Sequence, residues 1–427
     1  MKNRLFQKKL LTCLRVWTVA LVVTLTAGCG GAPAPGAPAA ANPPTTLTYA
    51  FPDDAASSAA ANALIKAYAA AHPEMQITPQ PLPAKDYAQQ LLTRIDGAAP
   101  DMFVSADTQA PALIKRGALL DLQPSFAETL KLRLDDFQPM ALNPWQRGSA
   151  LYGLPTDLMP MMMFYNRDLF AASGVANPVA GWTWNDWLAD AKKLTVGSGG
   201  QISRFGTALS SWGAMVWGNG GELISADGKR TMLDSPAAAA GVQFAADMVN
   251  VHHVAPPPQA AGGPDATQLF KEQKVAMLPA TSSLAASLVA AKLPFQWAIA
   301  PLPAGAVAAS PLSVAGLAVG ARSQHTQAAL EFAAWVVGPD AAALKADIQP
   351  FAAPALRSAA ARPAPIPGAE SIGQSLQFGR TLPPVEQWPQ IATIVNESLV
   401  PVWQGKTTAA AVYQQVTPKI NALLATG

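Results

Sequence analysis

LTYAFPDDAASSAAANALIKAYAAA, residues 47–71, reads as one strand, one loop and one helix. Leu47-Thr48-Tyr49-Ala50-Phe51 has the short, β-favouring pattern of a strand, and Pro52-Asp53-Asp54 has turn chemistry. Ala55 to Ala71 is an Ala-rich run that carries Leu64, Ile65 and Tyr68 on one side, as a helix does. The unit recurs downstream. Gln76-Ile77-Thr78 is a second strand, Asp86 to Ile95 a helix with Tyr87, Leu91 and Leu92, Met102-Phe103-Val104 a third strand, and Thr108 to Arg116 another helix. Such alternation predicts an α/β fold with mostly parallel sheets flanked by helices. Ligands of these sheets bind beyond the carboxyl ends of the strands. The loops Pro52–Asp54 and Ser105–Asp107 are therefore the first places to look.

With 427 residues the chain is long enough for two compact lobes. Half of it is hydrophobic and only 13% is charged, which excludes intrinsic disorder. The net charge of +2 is produced at the N-terminus by Lys2, Arg4, Lys8, Lys9 and Arg15; without these five, 24 basic face 27 acidic residues, a net of −3. A near-neutral body lacks the clustered positive field that a nucleic-acid partner requires.

Residues 1–28 read as a signal peptide: a basic start, an apolar stretch from Val16 to Leu25, then Thr26-Ala27-Gly28 before Cys29. The stretch is short for a membrane span of about 20 residues. It resembles a bacterial lipoprotein signal, in which Cys29 is the lipidated first residue of the mature chain. Thr26 departs from that pattern, which usually has Leu there; Leu25 lies one place earlier. On this reading Cys13 is removed and Cys29 consumed, so no disulfide staples the body. Residues 29–45, Pro- and Ala-rich and without charge, form a tether that holds the body off the membrane.

Further motifs follow in order. They are Ala99-Pro100-Asp101-Met102-Phe103, Leu113-Ile114-Lys115-Arg116-Gly117-Ala118-Leu119, Leu151-Tyr152-Gly153-Leu154-Pro155 and Phe164-Tyr165-Asn166-Arg167-Asp168. Thr183-Trp184-Asn185-Asp186-Trp187, Phe270-Lys271-Glu272-Gln273-Lys274-Val275-Ala276-Met277, Gly316-Leu317-Ala318-Val319 and Gly405-Lys406-Thr407-Thr408 continue the series. Together, over about residues 46–427, they resemble the extracellular solute-binding proteins of ABC importers, in the maltodextrin-binding-like branch. Gln273 stands where that family has Gly. The resemblance implies a two-lobed periplasmic-binding-protein-like fold, a ligand in the interlobe cleft, and closure by a hinge. The expected lobes are 46–154 plus 303–345, and 155–302 plus 346–427, with crossings at Tyr152–Pro155 and Ala300–Pro303. The implied role is a monomeric, non-enzymatic receptor that passes a small or medium carbohydrate to membrane permease subunits.

A sugar site needs acid or amide acceptors and an aromatic plate for the ring face. Asp53, Asp54, Ser105, Asp107 and Asp157 occupy the strand-end and hinge positions, although each carboxylate equally suits helix capping or a turn. Trp212 and Trp217 lie in the Gly-rich segment that resembles the family's cleft wall, and Trp388 falls where the family supplies a late stacking ring. Ser283 and Gly316 complete the candidate set, Ser283 lying where the family's frequent Gly-x-Trp is replaced by Thr281-Ser282-Ser283.

Met159-Pro160-Met161-Met162-Met163 reads as a buried strand, since Met fills irregular core gaps. His72, His252, His253 and His325 lack metal-ligand spacing, so neither metal nor cofactor is expected. Gly405-Lys406-Thr407 imitates the end of a phosphate loop, but Val400 occupies the position of the required Gly. No GxSxG nucleophile elbow is present. A receptor for another polar solute, or a glycoside-acting enzyme using a carboxylate pair such as Asp53 and Asp157, remains the alternative.

Overall fold

A computed structural model describes residues 44–198, 201–359 and 365–426. The signal segment, Cys29 and the tether as far as residue 43 lie outside the described residues.

Strand β1 (Thr45–Asp53) pairs in parallel with β2 (Met75–Pro83), with Leu47 opposite Ile77, and with β3 (Met102–Ala106), with Tyr49 opposite Met102. Its side chains alternate between the faces of the sheet. Leu47, Tyr49 and Phe51 join the main core, and Ala50 joins a smaller cluster with Tyr87, Phe103 and Ala318 on the other face. Helix α1 (Ala55–Ala71) starts where the Asp54 carboxylate accepts from the N–H groups of Ala56 and Ser57, at 3.1 and 2.9 Å. Helix α2 (Tyr87–Asp96) buries Tyr87, Leu91 and Ile95. Helix α3 (Ala110–Lys115) begins two residues later than its pattern suggests, because the Asp107 carboxylate holds the Thr108 N–H at 2.9 Å in the preceding turn.

The long strand β4 (Leu154–Asn166) organises the rest. Its first half pairs antiparallel with β7 (Ser310–Val319) and β8 (Ala353–Pro354), and its second half with β5 (Met277–Thr281) and β6 (Trp297–Pro301). Pairing changes hands between Pro160, opposite Leu312, and Met161, opposite Thr281. The main sheet runs β8–β4–β7–β3–β1–β2. Along this path only β1, β2 and β3 pair in parallel; a short parallel pairing of Gly379–Arg380 with Ser310–Pro311 of β7 lies off it. Strand β4 runs out of the first sheet into the second and β7 runs back, so the main strands beside them are antiparallel by necessity. The crossing expected at Tyr152–Pro155 lies at the start of this continuous strand; the change of partner falls farther along it. Met162 and Met163 are fully buried, each in a different core cluster.

Beyond β4 stand helices α4 (Trp184–Leu194), α5 (Trp212–Gly218) and α6 (Leu284–Ala291). They are followed by α7 (Thr326–Val337), α8 (Pro339–Ile348), α9 (Trp388–Ser398) and α10 (Ala409–Leu424). Thr183 and Asp186 form a reciprocal capping box at α4, the Thr183 N–H donating to Asp186 at 2.8 Å. The second core joins Met163, Trp187, Val395 and Tyr413. The first runs from Leu47 and Phe332 across β4 to Phe270, Phe351 and Leu376.

Gln273, at the position of the family's Gly, has φ of +59°. Its side chain gains only a long contact, 3.5 Å from Asn166 Nδ2. The left-handed conformation costs a non-glycine residue about 1–2 kcal/mol, against about 0.5–1 kcal/mol for the greater entropy loss of Gly. Gln273→Gly is therefore expected to stabilise the fold by roughly 0.5–1 kcal/mol, read as a higher urea midpoint; a lower midpoint would show that the Asn166 contact dominates.

Candidate functional site

The carboxyl ends of β1 and β3 open into a cavity of about 1030 Å³. Its walls come from α1, the β3–α3 turn, the start of β4, the middle of β7, the face of α6 and the end of α8. A site of this size beyond parallel strand ends is where an α/β sheet places a ligand.

Asp107 lines this cavity and is 8% exposed. Its backbone N–H donates to the Val314 carbonyl at 2.9 Å, which fixes the turn, and its carboxylate accepts from the Thr108 N–H. Burial pushes its pKa up to about 6, against the smaller opposing effect of those backbone donors. Beside it Ser105 is fully buried, its hydroxyl 3.3 Å from both the Ala106 carbonyl and Gln109 Oε1. Gln109 Oε1 also accepts from the Ala106 N–H at 3.3 Å, so its amide closes the turn while the residue lines the cavity.

Asp157 also faces the cavity, at a shift of register in β4. It is not a free acceptor. Lys345 of α8 holds both carboxylate oxygens with Nζ, at 2.9 and 3.1 Å, and the two side chains are only 17% and 9% exposed. The nearby Tyr49 hydroxyl is raised far above its ordinary range by burial first and by the Asp157 charge second, so it stays a neutral donor.

Asp54 and Ser283 line the cavity as well. The Asp54 carboxylate is engaged in capping α1, and the Ser283 hydroxyl lies 2.8 Å from Thr281 Oγ1 at the head of α6. Asp53 accepts from the Ser58 hydroxyl at 3.0 Å and does not line the cavity. Gly316 contributes backbone. A Cβ there would stand 2.7 Å from Trp145 Cε2, and one at Gly153 would stand 2.9 Å from Trp145 Cζ3, so the buried indole fits between β7 and the segment entering β4 only because both residues lack side chains.

The three tryptophans gather elsewhere. Trp212 and Trp388 are 5.9 Å apart between ring centroids, and Trp212 Nε1 donates to Asn396 at 3.0 Å. Trp217, 3% exposed, lies beneath Arg380, which is ion-paired with Glu222. None of the three lines the cavity. Just before Trp388, Glu386 pairs with Lys115 of α3, and the Pro384 carbonyl accepts from Arg147 at 3.1 Å.

The sequence reading missed Tyr49, Gln109 and Lys345. Lys345 left one signal: it follows the buried Ala341 and Ala342 on the inward stripe of α8, where a lone cation needs a partner. Among the described residues no cluster of His, Cys, Asp and Glu is able to hold a metal ion.

The sequence profile of the bacterial extracellular solute-binding proteins matches residues 52–343. This chain belongs to that family. A Brucella abortus (strain 2308) protein is 28% identical over 254 residues, which cover 56% of this chain and 58% of the relative, so the match spans less than two thirds of the curated relatives. The fold is shared more widely within the solute-binding proteins. An ABC substrate-binding protein from Listeria monocytogenes in complex with cycloalternan superposes with a TM-score of 0.79 at 24% identity, covering 90% of this chain and 99% of that one. The sugar-binding protein MalE from Xanthomonas citri gives a TM-score of 0.78 at 19% identity, with coverage of 90% and 98%. The two-lobed, periplasmic-binding-protein-like architecture expected from the sequence is thus the fold of this family member.

Removing one partner from a buried ion pair strands the other charge, at roughly 3–5 kcal/mol. Lys345→Met is expected to lower the urea midpoint accordingly, and the double variant with Asp157→Asn to recover most of the loss. A single variant as stable as the parent would show that Asp157 is not held by Lys345.

Proposed function

We propose that this chain is the substrate-binding receptor of an ABC importer, taking a small or medium saccharide into the cavity at the strand ends and delivering it to membrane permease subunits. Asp107 carries the reading. A buried carboxylate that pairs with no cation among the described residues, set in a turn among Ser105, Thr108 and Gln109, suits hydroxyl donors of a neutral polyhydroxy ligand. The cycloalternan bound to the Listeria relative and the description of the Xanthomonas one as a sugar-binding protein point the same way. Asp54, Ser105, Asp107, Asp157, Ser283 and the Gly316 backbone are assigned to the ligand-facing wall. Asp53 is assigned to its turn, and Trp212, Trp217 and Trp388 to packing of the second lobe. Binding without turnover is the role proposed, because the cavity's other two carboxylates are engaged, Asp157 by Lys345 and Asp54 by the N-terminus of α1. We propose two lobes that meet along β4, where pairing passes from the first sheet to the second between Pro160 and Met161 and not at residue 154, and again after β6; the receptor is proposed to act as a monomer.

A thermal-shift panel of mono- to tetrasaccharides tests this, since a ligand that binds only the folded state raises its melting temperature. Asp107 is mostly ionised at pH 7 and mostly protonated below about 6. Hydroxyls donate best to the ionised form, so affinity for the best sugar should fall as pH drops through about 6, and Asp107→Asn should bind at least ~10-fold more weakly with a flatter profile. A panel without any shift would refute the carbohydrate receptor.

Residues 1–28 are proposed to be removed on export and Cys29 to be lipidated, anchoring the body outside the cytoplasmic membrane; multiple acyl chains on one Cys suffice for stable attachment. No helix among the described residues is long and apolar enough to cross a membrane. Cys29→Ser should leave the signal uncut or release the protein into the medium. Unchanged processing and membrane fractionation would exclude the anchor.

A further inference from the structure

Most polar side chains that line the cavity are already engaged by the protein. Ser105, Asp107 and Gln109 serve the β3–α3 turn, Asp157 and Lys345 hold each other, and the Thr156 hydroxyl donates to the Ala315 carbonyl at 3.2 Å. The side chains of Ser57, Lys85, Thr108 and Gln349 have no hydrogen-bond partner among the described residues, but these residues are half-buried or exposed, so solvent serves them. Tyr49 is different. It is 4% exposed, and its hydroxyl has no hydrogen-bond partner among the described residues. That hydroxyl is not one of the fully enclosed polar groups without a partner, as Trp145 Nε1 and the Tyr413 hydroxyl are, so it opens on the cavity that the residue lines. Tyr87, which lines the same cavity, shows the contrast: its hydroxyl donates to the Val104 carbonyl at 2.6 Å. The Tyr49 ring is fixed edge-on to Phe332, with centroids 5.8 Å apart, and 5.5 Å from Phe51, so the hydroxyl is not free to swing toward a protein acceptor. A buried hydroxyl left unpaired costs the fold its hydration, and a rigid one facing a ligand cavity is suited to a partner that arrives from outside.

Resting on the carbohydrate reading above, we propose that Tyr49 is a specificity-determining residue of the cavity: its phenol hydrogen-bonds one hydroxyl of the bound saccharide, and the site discriminates against sugars that lack that hydroxyl. A site built to bond a hydroxyl rejects the analogue without it strongly, because the protein group is then left unpaired. Burial first and the Asp157 charge second keep the phenol protonated, so this contact does not titrate near neutrality as the Asp107 contact does.

The test is calorimetric titration of the full chain with glucose, galactose, mannose, xylose and the malto- and cello-oligosaccharides up to the tetrasaccharides, then with the monodeoxy analogues of the tightest binder. Tyr49→Phe should bind that parent sugar at least ~10-fold more weakly, and by the same factor above and below the pKa of Asp107. For one monodeoxy analogue the wild-type and Tyr49→Phe affinities should agree within about twofold, which names the hydroxyl that Tyr49 reads. The unliganded variant should melt no lower than the parent, since it loses no protein hydrogen bond. A Tyr49→Phe chain that does not fold would reveal a structural partner for the hydroxyl and overturn the inference. Equal affinity of variant and parent chain for the tightest sugar, or a loss that is the same for every analogue, would overturn it as well. Each of these leaves the sugar receptor intact, whereas a panel in which no sugar binds overturns both.

Discussion

Strand β4 belongs to two sheets at once. From Leu154 to Pro160 its backbone completes the sheet that starts at β1, and from Met161 to Asn166 it is the centre of a second sheet between β5 and β6. A strand cannot change faces without breaking both ladders, so its register fixes every side chain along it, Asp157 included. The register shift between Pro155 and Asp157 lies at the edge of the cavity, where one irregular residue step re-aims a side chain without disturbing the pairs farther along. The rest of the site depends on this strand staying whole.

Lys345 is the counterpart of that constraint. Helix α8 packs against α1, and the ammonium it carries meets Asp157 on the strand, so helix layer and sheet are joined by a charge pair at the cavity wall. Such a pair contributes less to stability than apolar residues of equal volume often would, and its value lies in fixing where two charges point. Asp107, two strands away, pairs with no cation among the described residues, and burial raises its pKa. Two carboxylates in one cavity thus have opposite environments.

Local features were legible in the sequence. Helix α1 spans Ala55–Ala71 as its apolar spacing indicates, because the Asp54 cap and an Ala-rich run are both written within one stretch. Thr183 and Asp186 likewise declare the start of α4. The strand-end loops led to Ser105 and Asp107 because sheet topology, not residue identity, selects that position. Features that depend on distant partners were not legible. Nothing near Met161 says that its neighbour across the sheet is Thr281, and nothing near Trp212 says that Trp388 and Asn396 claim its ring and its N–H. Residue type alone nominated three tryptophans; placement assigned them to one another and to Arg380.

Lys115 and Glu386 meet at the surface, with side chains 60% and 25% exposed, and tie the turn before α9 to α3. Exposed pairs of this kind are worth under about 1 kcal/mol and weaken as ions accumulate around them. The grip between these two parts of the molecule therefore varies with the ionic strength of the surroundings, whereas the pair at Asp157, shielded from solvent, does not. In dilute medium the surface contact holds more of the population together; in brine it lets go first.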